Sequence, residues 1–246
     1  MNQPRTYRHR IQKEGLTTFN ITVRETDLLI RADKPLDRIA LNSILCHRRF
    51  LEAFIAQHPV FATSLVPWTV SEPMPAIVWD MIRAGQKAGV GPMASVAGAV
   101  SQRVGEDLSV YSKEVIIENG GDVYIKTDAP VTVGIYAGKS PLSLRIGLNI
   151  ASGNAPMAVC TSSGTVGHSL SFGNADAVSV VSKSCALADA AATAIGNRVL
   201  SAKEIQQAMA FGQTIDGVEG ILIIVGEQMG VWGKLELVPL SGGKNG

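Results

Sequence analysis

Two stretches of the chain carry the residue types best suited to binding a phosphorylated ligand and a metal ion. The first, AVCTSSGTVGH at 158–168, combines a thiol, four hydroxyls, two glycines and an imidazole. The second, ALADAAATAIGN at 186–197, holds one carboxylate among small apolar residues. In a helix, Asp189 and Thr193 would lie on one face, one turn apart. Such hard oxygens suit Mg²⁺, and we predict a metal site there; the alternative is an ordinary surface aspartate.

The hydroxyl-rich stretch is predicted to be a loop that contacts an anion. Its glycines free the backbone, and successive N–H groups in such a turn can form an anion-binding nest. No GK[ST] follows, so the stretch is not a Walker loop. The alternative is an ordinary polar turn. The residues predicted to contact the ligand are Thr161, Ser162, Ser163 and Gly164.

Two further features complete the candidate site. His168 lies in the same loop and is the candidate catalytic residue, whereas Cys160 is predicted to be an inert, packed thiol. The sequence ENGGD lies between two strand patterns, where paired glycines allow a positive-φ turn or a close approach of a ligand to the backbone. A hairpin turn without a ligand is the alternative. The residues predicted to bind cofactor here are Asn119, Gly120, Gly121 and Asp122.

Composition limits the classes of function that the chain can have. A net charge of +1 over 246 residues gives no basic footprint for nucleic acid or a membrane surface. No run of eighteen apolar residues occurs, so we expect no membrane span. Three cysteines without metal-ligand spacing indicate a reducing, cytoplasmic location. We expect one domain over residues 1–246, with a flexible basic arm at 1–15.

The elements that must position these residues follow from hydrophobic periodicity and from turn signals. Strands cluster rather than alternate singly with helices, which predicts an α+β fold of antiparallel sheets with helices packed on them. Two structurally repeated halves are compatible with this order. Alternation over residues 17–33 predicts a hairpin, Ser184 is predicted to cap the helix at 184–197, and Ser201 and Glu204 are predicted to form a capping box at the start of the helix at 201–212. The predicted helices are 35–58, 75–89, 89–108, 184–197 and 201–212, and the predicted strands lie within 17–33, 114–138, 141–150, 176–184 and a terminal hairpin, GILIIVGEQMG with VWGKLELV.

The order of four motifs resembles that of the ApbE-type flavin transferases. The motifs are GVGPMASVAGAV, ENGGD, CTSSGTVGHSLSFGNADAV and ADAAATAIGN. Over nearly the whole chain, the sequence resembles more closely an uncharacterised family of ApbE-like prokaryotic proteins. It departs from the ApbE enzymes in two places: VAG at 96–98 replaces their KG pair, and their later H-x-x-D-P segment is missing.

The resemblance implies a T-fold-like α+β architecture and flavin chemistry. ApbE enzymes bind FAD, cleave its pyrophosphate with Mg²⁺ and transfer FMN to a threonine of an acceptor protein. Their metal-binding aspartate and threonine match Asp189 and Thr193. The resemblance therefore implies Mg²⁺ and FAD or FMN as cofactors, and an activity related to FMN transfer.

Two other classes of function remain open at this point. The same scaffold could act on a pterin-like or nucleotide metabolite, or it could be a non-catalytic module for binding or assembly. We expect a small phosphorylated ligand as the partner, and the apolar composition is compatible with a homodimer.

Overall fold

The structure is a computed structural model, and it describes residues 13, 15–69, 72–153, 155–166 and 171–240. Short 3₁₀ turns at Pro59–Ala62, Pro92–Ser95 and Ala202–Glu204 precede or connect the helices. The strands and helices of the described residues are, in chain order, β1 (Thr17–Val23), β2 (Thr26–Ala32), α1 (Asp37–Gln57), α2 (Ala76–Ala88), α3 (Val96–Leu108), β3 (Val115–Asn119), β4 (Asp122–Lys126), β5 (Val131–Gly134), β6 (Ile146–Ile150), β7 (Met157–Ser162), β8 (Ala177–Ser182), α4 (Cys185–Gly196), α5 (Ile205–Gln213), β9 (Val218–Val225), β10 (Gln228–Gly233) and β11 (Glu236–Pro239).

The strands form two antiparallel sheets. The larger sheet has the order β1-β2-β3-β4-β7-β8-β9-β10, and the smaller one has the order β11-β6-β5. In the larger sheet, β1-β2-helices-β3-β4 is followed by β7-β8-helices-β9-β10. Two halves with the same ββαββ plan therefore meet where β4 pairs with β7. The predicted α+β class, with helices packed on antiparallel sheets, is confirmed.

The larger sheet lies between a helical layer and the smaller sheet, and each of its faces has its own hydrophobic core. Alternate residues of a strand point to opposite faces. Ile117 and Tyr124 accordingly pack under the helices. Their neighbours Ile116 and Val123 pack against the smaller sheet. This alternation decides which polar side chains reach the helical layer.

Two predicted helix starts are confirmed by their capping bonds. Ser184 Oγ accepts a hydrogen bond from the Leu187 N–H at the start of α4. Ser201 and Glu204 form the predicted capping box, although the first turn that follows is 3₁₀ and α5 begins at Ile205. Such side-chain acceptors satisfy N–H groups that have no partner within the helix.

Two parts of the strand prediction were wrong. Residues 157–162 form β7, a central strand, although the stretch from 160 was predicted to be a loop. At the end of the chain, the hairpin is β9 with β10, and its turn at Gly226 lies inside the segment predicted to be one strand. The last strand, β11, then crosses to the smaller sheet. Among the described helices, none is both long enough and apolar enough to cross a bilayer.

Candidate functional site

Helix α4 is enclosed on nearly all sides, and only two of its residues reach open space. It packs against α2, α3, β7 and β8. Ten of its twelve residues are buried, and the other two are Asp189 and Thr193, which are both half-buried. Because they lie four apart, their oxygens share one face of the helix. The rest of α4 is apolar or small, so this strip is its one polar surface.

Helix α3 holds the Asp189 carboxylate through its backbone. The Gly98 N–H donates to Asp189 Oδ2 at 2.9 Å, and the Ala97 N–H also donates to this carboxylate. A Cβ on Gly98 would stand 2.4 Å from the Cys185 carbonyl oxygen and 2.8 Å from Asp189 Cβ. The missing side chain at Gly98 therefore allows α3 to approach α4 closely.

A second contact from α3 fixes the beginning of α4. Gln102 Oε1 accepts hydrogen bonds from Ser184 Oγ at 3.2 Å and from the backbone N–H groups of Cys185 and Ala186 at 3.0 and 3.4 Å. Gln102 lies one turn beyond Gly98, so α3 binds α4 at two points. Together, these contacts set the position of the metal-binding candidates relative to the sheet.

Asp122 lies beneath this helix pair, at the junction of the two halves. It is opposite Cys160 in the β4–β7 register, and it accepts hydrogen bonds from the Cys160 thiol and the Thr161 N–H. Burial raises the pKa of Asp122 well above its usual range, and the nearby Asp189 carboxylate raises it further. Both effects favour the neutral, protonated form of the Asp122 carboxyl.

Burial also raises the pKa of Asp189, to about 7, while the N–H groups of Gly98 and Ala97 oppose the shift. The carboxyl group consequently changes charge near neutral pH. A cation placed beside it would favour the ionised form. A partly exposed carboxyl group with this behaviour is typical of a functional site.

The two cysteines of this region are packed against each other. Cys160 Sγ lies 3.5 Å from Cys185 Sγ, and both side chains are buried. Burial raises the pKa of both thiols, so neither is a ready nucleophile. This environment agrees with the predicted role of Cys160 as a packed, unreactive thiol.

The hydroxyls of β7 divide between the two faces of the sheet. Thr161 Oγ1 is 2.8 Å from Ser179 Oγ, on the face that packs against the smaller sheet. Ser162 faces α4, since a Cβ on Gly196 would lie 3.7 Å from Ser162 Oγ. Thr161 therefore contributes its N–H to the Asp122 side of the site, and Ser162 contributes a hydroxyl.

The backbone that follows β7 is largely occupied by its own hydrogen bonds. Ser163 Oγ accepts from the N–H groups of Thr165 and Val166, at 3.1 and 3.0 Å. The Gly164 N–H donates to the Ala175 carbonyl at 2.9 Å. These three N–H groups do not form an open anion nest in this structure. A Cβ on Gly164 would clash with the carbonyl of Gly173, which explains the need for glycine.

The predicted glycine turn between β3 and β4 is present and adjoins α3. Gly120 and Gly121 have φ values of +67° and +114°, which strongly favour glycine. Asn119 Nδ2 donates to the Ala97 carbonyl at 3.1 Å, so the turn is tied to the residue that also contacts Asp189. The Gly121 N–H donates to Glu118 Oε1. This turn is therefore linked to the Asp189 carboxylate through Ala97.

The structure brings most of the predicted site residues together, but one lies outside its range. His168 falls among residues 167–170, outside the described residues. Within the described part of the chain, no group of three or more His, Cys, Asp or Glu side chains is arranged to hold a metal ion. A metal at α4 would depend on one carboxylate, one hydroxyl and ligands from water or substrate.

Sequence reasoning missed three residues that organise the site. Gln102 and Gly98 connect α3 to α4, and Cys185 packs against Cys160. The four-residue spacing of Gly98 and Gln102 on a helix was the available signal, since it puts both on the same face. Nothing in the sequence pattern identified the helix that this face would meet.

Comparison with known proteins agrees with this architecture. A family model described as "AbpE bacteria" matches residues 8–231. A UPF0280 protein from Methanococcus aeolicus is 43% identical over 221 residues, covering 87% of this chain and 89% of the relative. One from Methanocella arvoryzae is 42% identical over 219 residues, covering 89% of each.

Solved flavin transferases share the fold at low sequence identity. The ApbE flavin transferase from Vibrio cholerae has a TM-score of 0.55 at 12% identity, covering 88% of this chain and 96% of that one. The ApbE flavinyl transferase from Pseudomonas stutzeri has a TM-score of 0.52 at 13% identity, covering 88% and 93%. These similarities establish the ApbE fold. The chain belongs to the AbpE bacteria family, an ApbE-like family whose relatives include the UPF0280 proteins.

Proposed function

We propose that this protein binds a flavin nucleotide, FAD or FMN, or a similar phosphorylated cofactor together with Mg²⁺. One observation carries the proposal: α4 is buried except for Asp189 and Thr193, which share one polar strip. The strip adjoins the Asn119–Asp122 turn and the end of β7. The flavin transferases that share the fold favour a flavin as the ligand.

The donors on α4 fit a hard divalent cation. Mg²⁺ typically binds one or two protein oxygens and completes its shell with water and phosphate oxygens. Asp189 supplies a carboxylate whose pKa near 7 allows ionisation beside a cation. Thr193 Oγ1 forms no hydrogen bond with the described residues, so its lone pairs are available. When bound, Mg²⁺ would neutralise charge on the phosphoryl oxygens.

The other residues of the site would position the ligand. The N–H groups of Gly98 and Ala97 hold the Asp189 carboxylate in one orientation. Ser162 offers a hydroxyl on the same face of the sheet as α4, while the glycine turn allows the ligand to approach the backbone closely. Thr161, Ser163 and Gly164 would act by shaping this wall. His168 remains our candidate for the group that accepts a proton.

We further propose that the reaction, if the ligand is FAD, breaks its pyrophosphate bond. An acceptor hydroxyl would attack the FMN phosphorus, its proton would pass to a base, and AMP would leave.

The three cysteines are free thiols, in keeping with a reducing cytoplasm. No lysine lies at 96–98 to contact phosphate, so this chain depends more heavily on the cation.

The experiment is a fluorescence titration of the purified protein with FAD, with and without Mg²⁺. We expect Mg²⁺-dependent binding that Thr193→Val weakens at least tenfold, or about 1.4 kcal/mol. Thr132→Val is the matched control, because Thr132 lies in β5 of the smaller sheet. No binding at about 100 µM FAD, well above a typical cofactor affinity, would contradict the proposal.

Mass spectrometry of ligands that copurify with the protein separates the other functions. A pterin or nucleotide retained by the wild type and lost from Thr193→Val would assign the same site to another substrate. If no ligand is retained and Mg²⁺ has no effect on thermal stability, the assembly module becomes the better explanation.

A further inference from the structure

The outer strand of the larger sheet, β1, has an edge that no described strand covers. Its seven residues pair with β2 in continuous register from Thr17–Ala32 to Val23–Thr26. Its other side therefore presents a regular row of backbone donors and acceptors. The sequence TTFNITV contains no charge, proline or glycine. Natural edge strands usually carry such residues to block pairing with another chain.

The opposite edge, β10, is less suited to pairing. It contains Gly230 and Gly233, and Gly233 has a φ of +89°. Glycine weakens strands, and this φ ends the extended conformation there. After β10 the chain crosses to the smaller sheet. Of the two edges, β1 is the longer and the more regular.

An exposed apolar pair on α1 lies on the same side of the molecule as β1. Leu41 and Leu45 are 38% and 47% exposed and lie one turn apart. One and two turns further along this flank, Arg48 and Glu52 contact the β1–β2 hairpin through Thr26 and Arg24. The flank of α1 that bears the two leucines therefore faces the hairpin side.

The other flank of α1 faces α3. Ser43 and His47 both bond to Asp107 of α3, at 2.6 and 2.9 Å. Phe50 continues this flank and is 50% exposed. The helix thus offers two apolar positions of similar exposure, 47% for Leu45 and 50% for Phe50, of which only Leu45 lies on the flank that faces the hairpin. This pair supplies a matched comparison.

We propose that β1 pairs antiparallel with β1 of a second copy of this chain, about a twofold axis at Asn20. Asn20 is the middle residue of the strand, so a centred pairing places Phe19 opposite Ile21 of the partner subunit. These apolar side chains lie on the helical face of the sheet, the face on which α1 packs. Thr18 falls opposite Thr22 of the partner subunit on the other face. The edge is uncharged, so it is complementary to itself and brings no like charges together.

The twofold axis makes a specific prediction for disulfide crosslinking. Asn20→Cys would place two thiols directly opposite each other, at a Cα separation of about 4.5–5.5 Å, within the range of a disulfide. Thr22→Cys is the control, since its two copies would lie about 14 Å apart along the strands. Both are made with Cys46→Ser, because Cys46 is exposed.

Under mild oxidation, we expect Asn20→Cys to form a covalent dimer and Thr22→Cys to remain monomeric on a non-reducing gel. Equal crosslinking of both variants, or crosslinking of neither, overturns the twofold pairing at Asn20. The experiment does not involve a flavin or Mg²⁺, so its outcome is independent of the proposed function.

Light scattering tests the same interface without oxidation. We expect twice the chain mass of 26.0 kDa for the wild type and for Phe50→Glu. The double variant Leu41→Glu/Leu45→Glu should have a dimer dissociation constant at least ten times that of the wild type. A wild-type monomer at about 100 µM, or dissociation by Phe50→Glu alone, overturns the proposal.

Discussion

Replacing Asp189 with asparagine should stabilise the protein without ligand, and the gain should grow with pH. Asparagine keeps an oxygen that can accept the Gly98 N–H but removes the ionisable group. The raised pKa means that the folded protein holds a proton on Asp189 that the unfolded chain has lost between about pH 4 and 7. Wild-type stability therefore falls through this window, and Asp189→Asn does not undergo this loss.

The size of the effect follows from the shift in pKa. The pKa of Asp189 rises from 3.8 to about 7 on folding. At about 1.36 kcal/mol per pKa unit, the wild type can lose at most roughly 4 kcal/mol of unfolding free energy as the pH rises through this window. Asp189 is half-buried, so solvent screening reduces this value. We expect the gain in unfolding free energy of Asp189→Asn over the wild type to be about 1–2 kcal/mol larger at pH 8 than at pH 5. This corresponds to about 2–8 °C in the difference between their melting temperatures.

Thermal melts of both proteins at pH 5 and pH 8, with and without Mg²⁺, provide the assay. Mg²⁺ should raise the melting temperature of the wild type at pH 8 but not that of Asp189→Asn. Asp216→Asn is the control, because Lys87 lowers the pKa of the exposed Asp216 and its replacement should bring no gain. A variant that is less stable than the wild type at pH 8, or a gain that is the same at both pH values, would refute the reasoning.

Two further predictions concern the contact between α3 and α4. Gly98→Ala should destabilise the fold by about 2–4 kcal/mol in urea unfolding, because its Cβ would meet the Cys185 carbonyl; a loss below about 0.5 kcal/mol would mean that the helices separate easily. Gln102→Leu should cost about 1–3 kcal/mol by removing the acceptor for the N–H groups at the start of α4, whereas Glu106→Gln, which keeps an acceptor for Gln102 Nε2, should retain most of the stability; equal losses in both variants would argue against the capping role.

Local sequence signals were sufficient for much of the fold. The Ser201–Glu204 pair predicted its capping box, and Ser184 predicted the start of α4, because caps depend on residues within one turn. The β1–β2 hairpin followed from alternation alone. The strand β7 was missed because its hydroxyls and cysteine resemble a polar loop when the neighbouring strands are not considered. Its partners β4 and β8 are distant in sequence, and their pairing decides that it is a strand.

The sequence by itself determined that Asp189 and Thr193 share one face of a helix, since a four-residue spacing is a property of the helix alone. Only the tertiary structure decided that this face is the one opening in an otherwise buried helix. It also decided that Ser162 faces α4 while Thr161 faces the smaller sheet. The physical reason is that burial and direction depend on which surfaces meet. Those surfaces come from α3, β4 and β7, which are far from α4 in the chain and reach it only after folding.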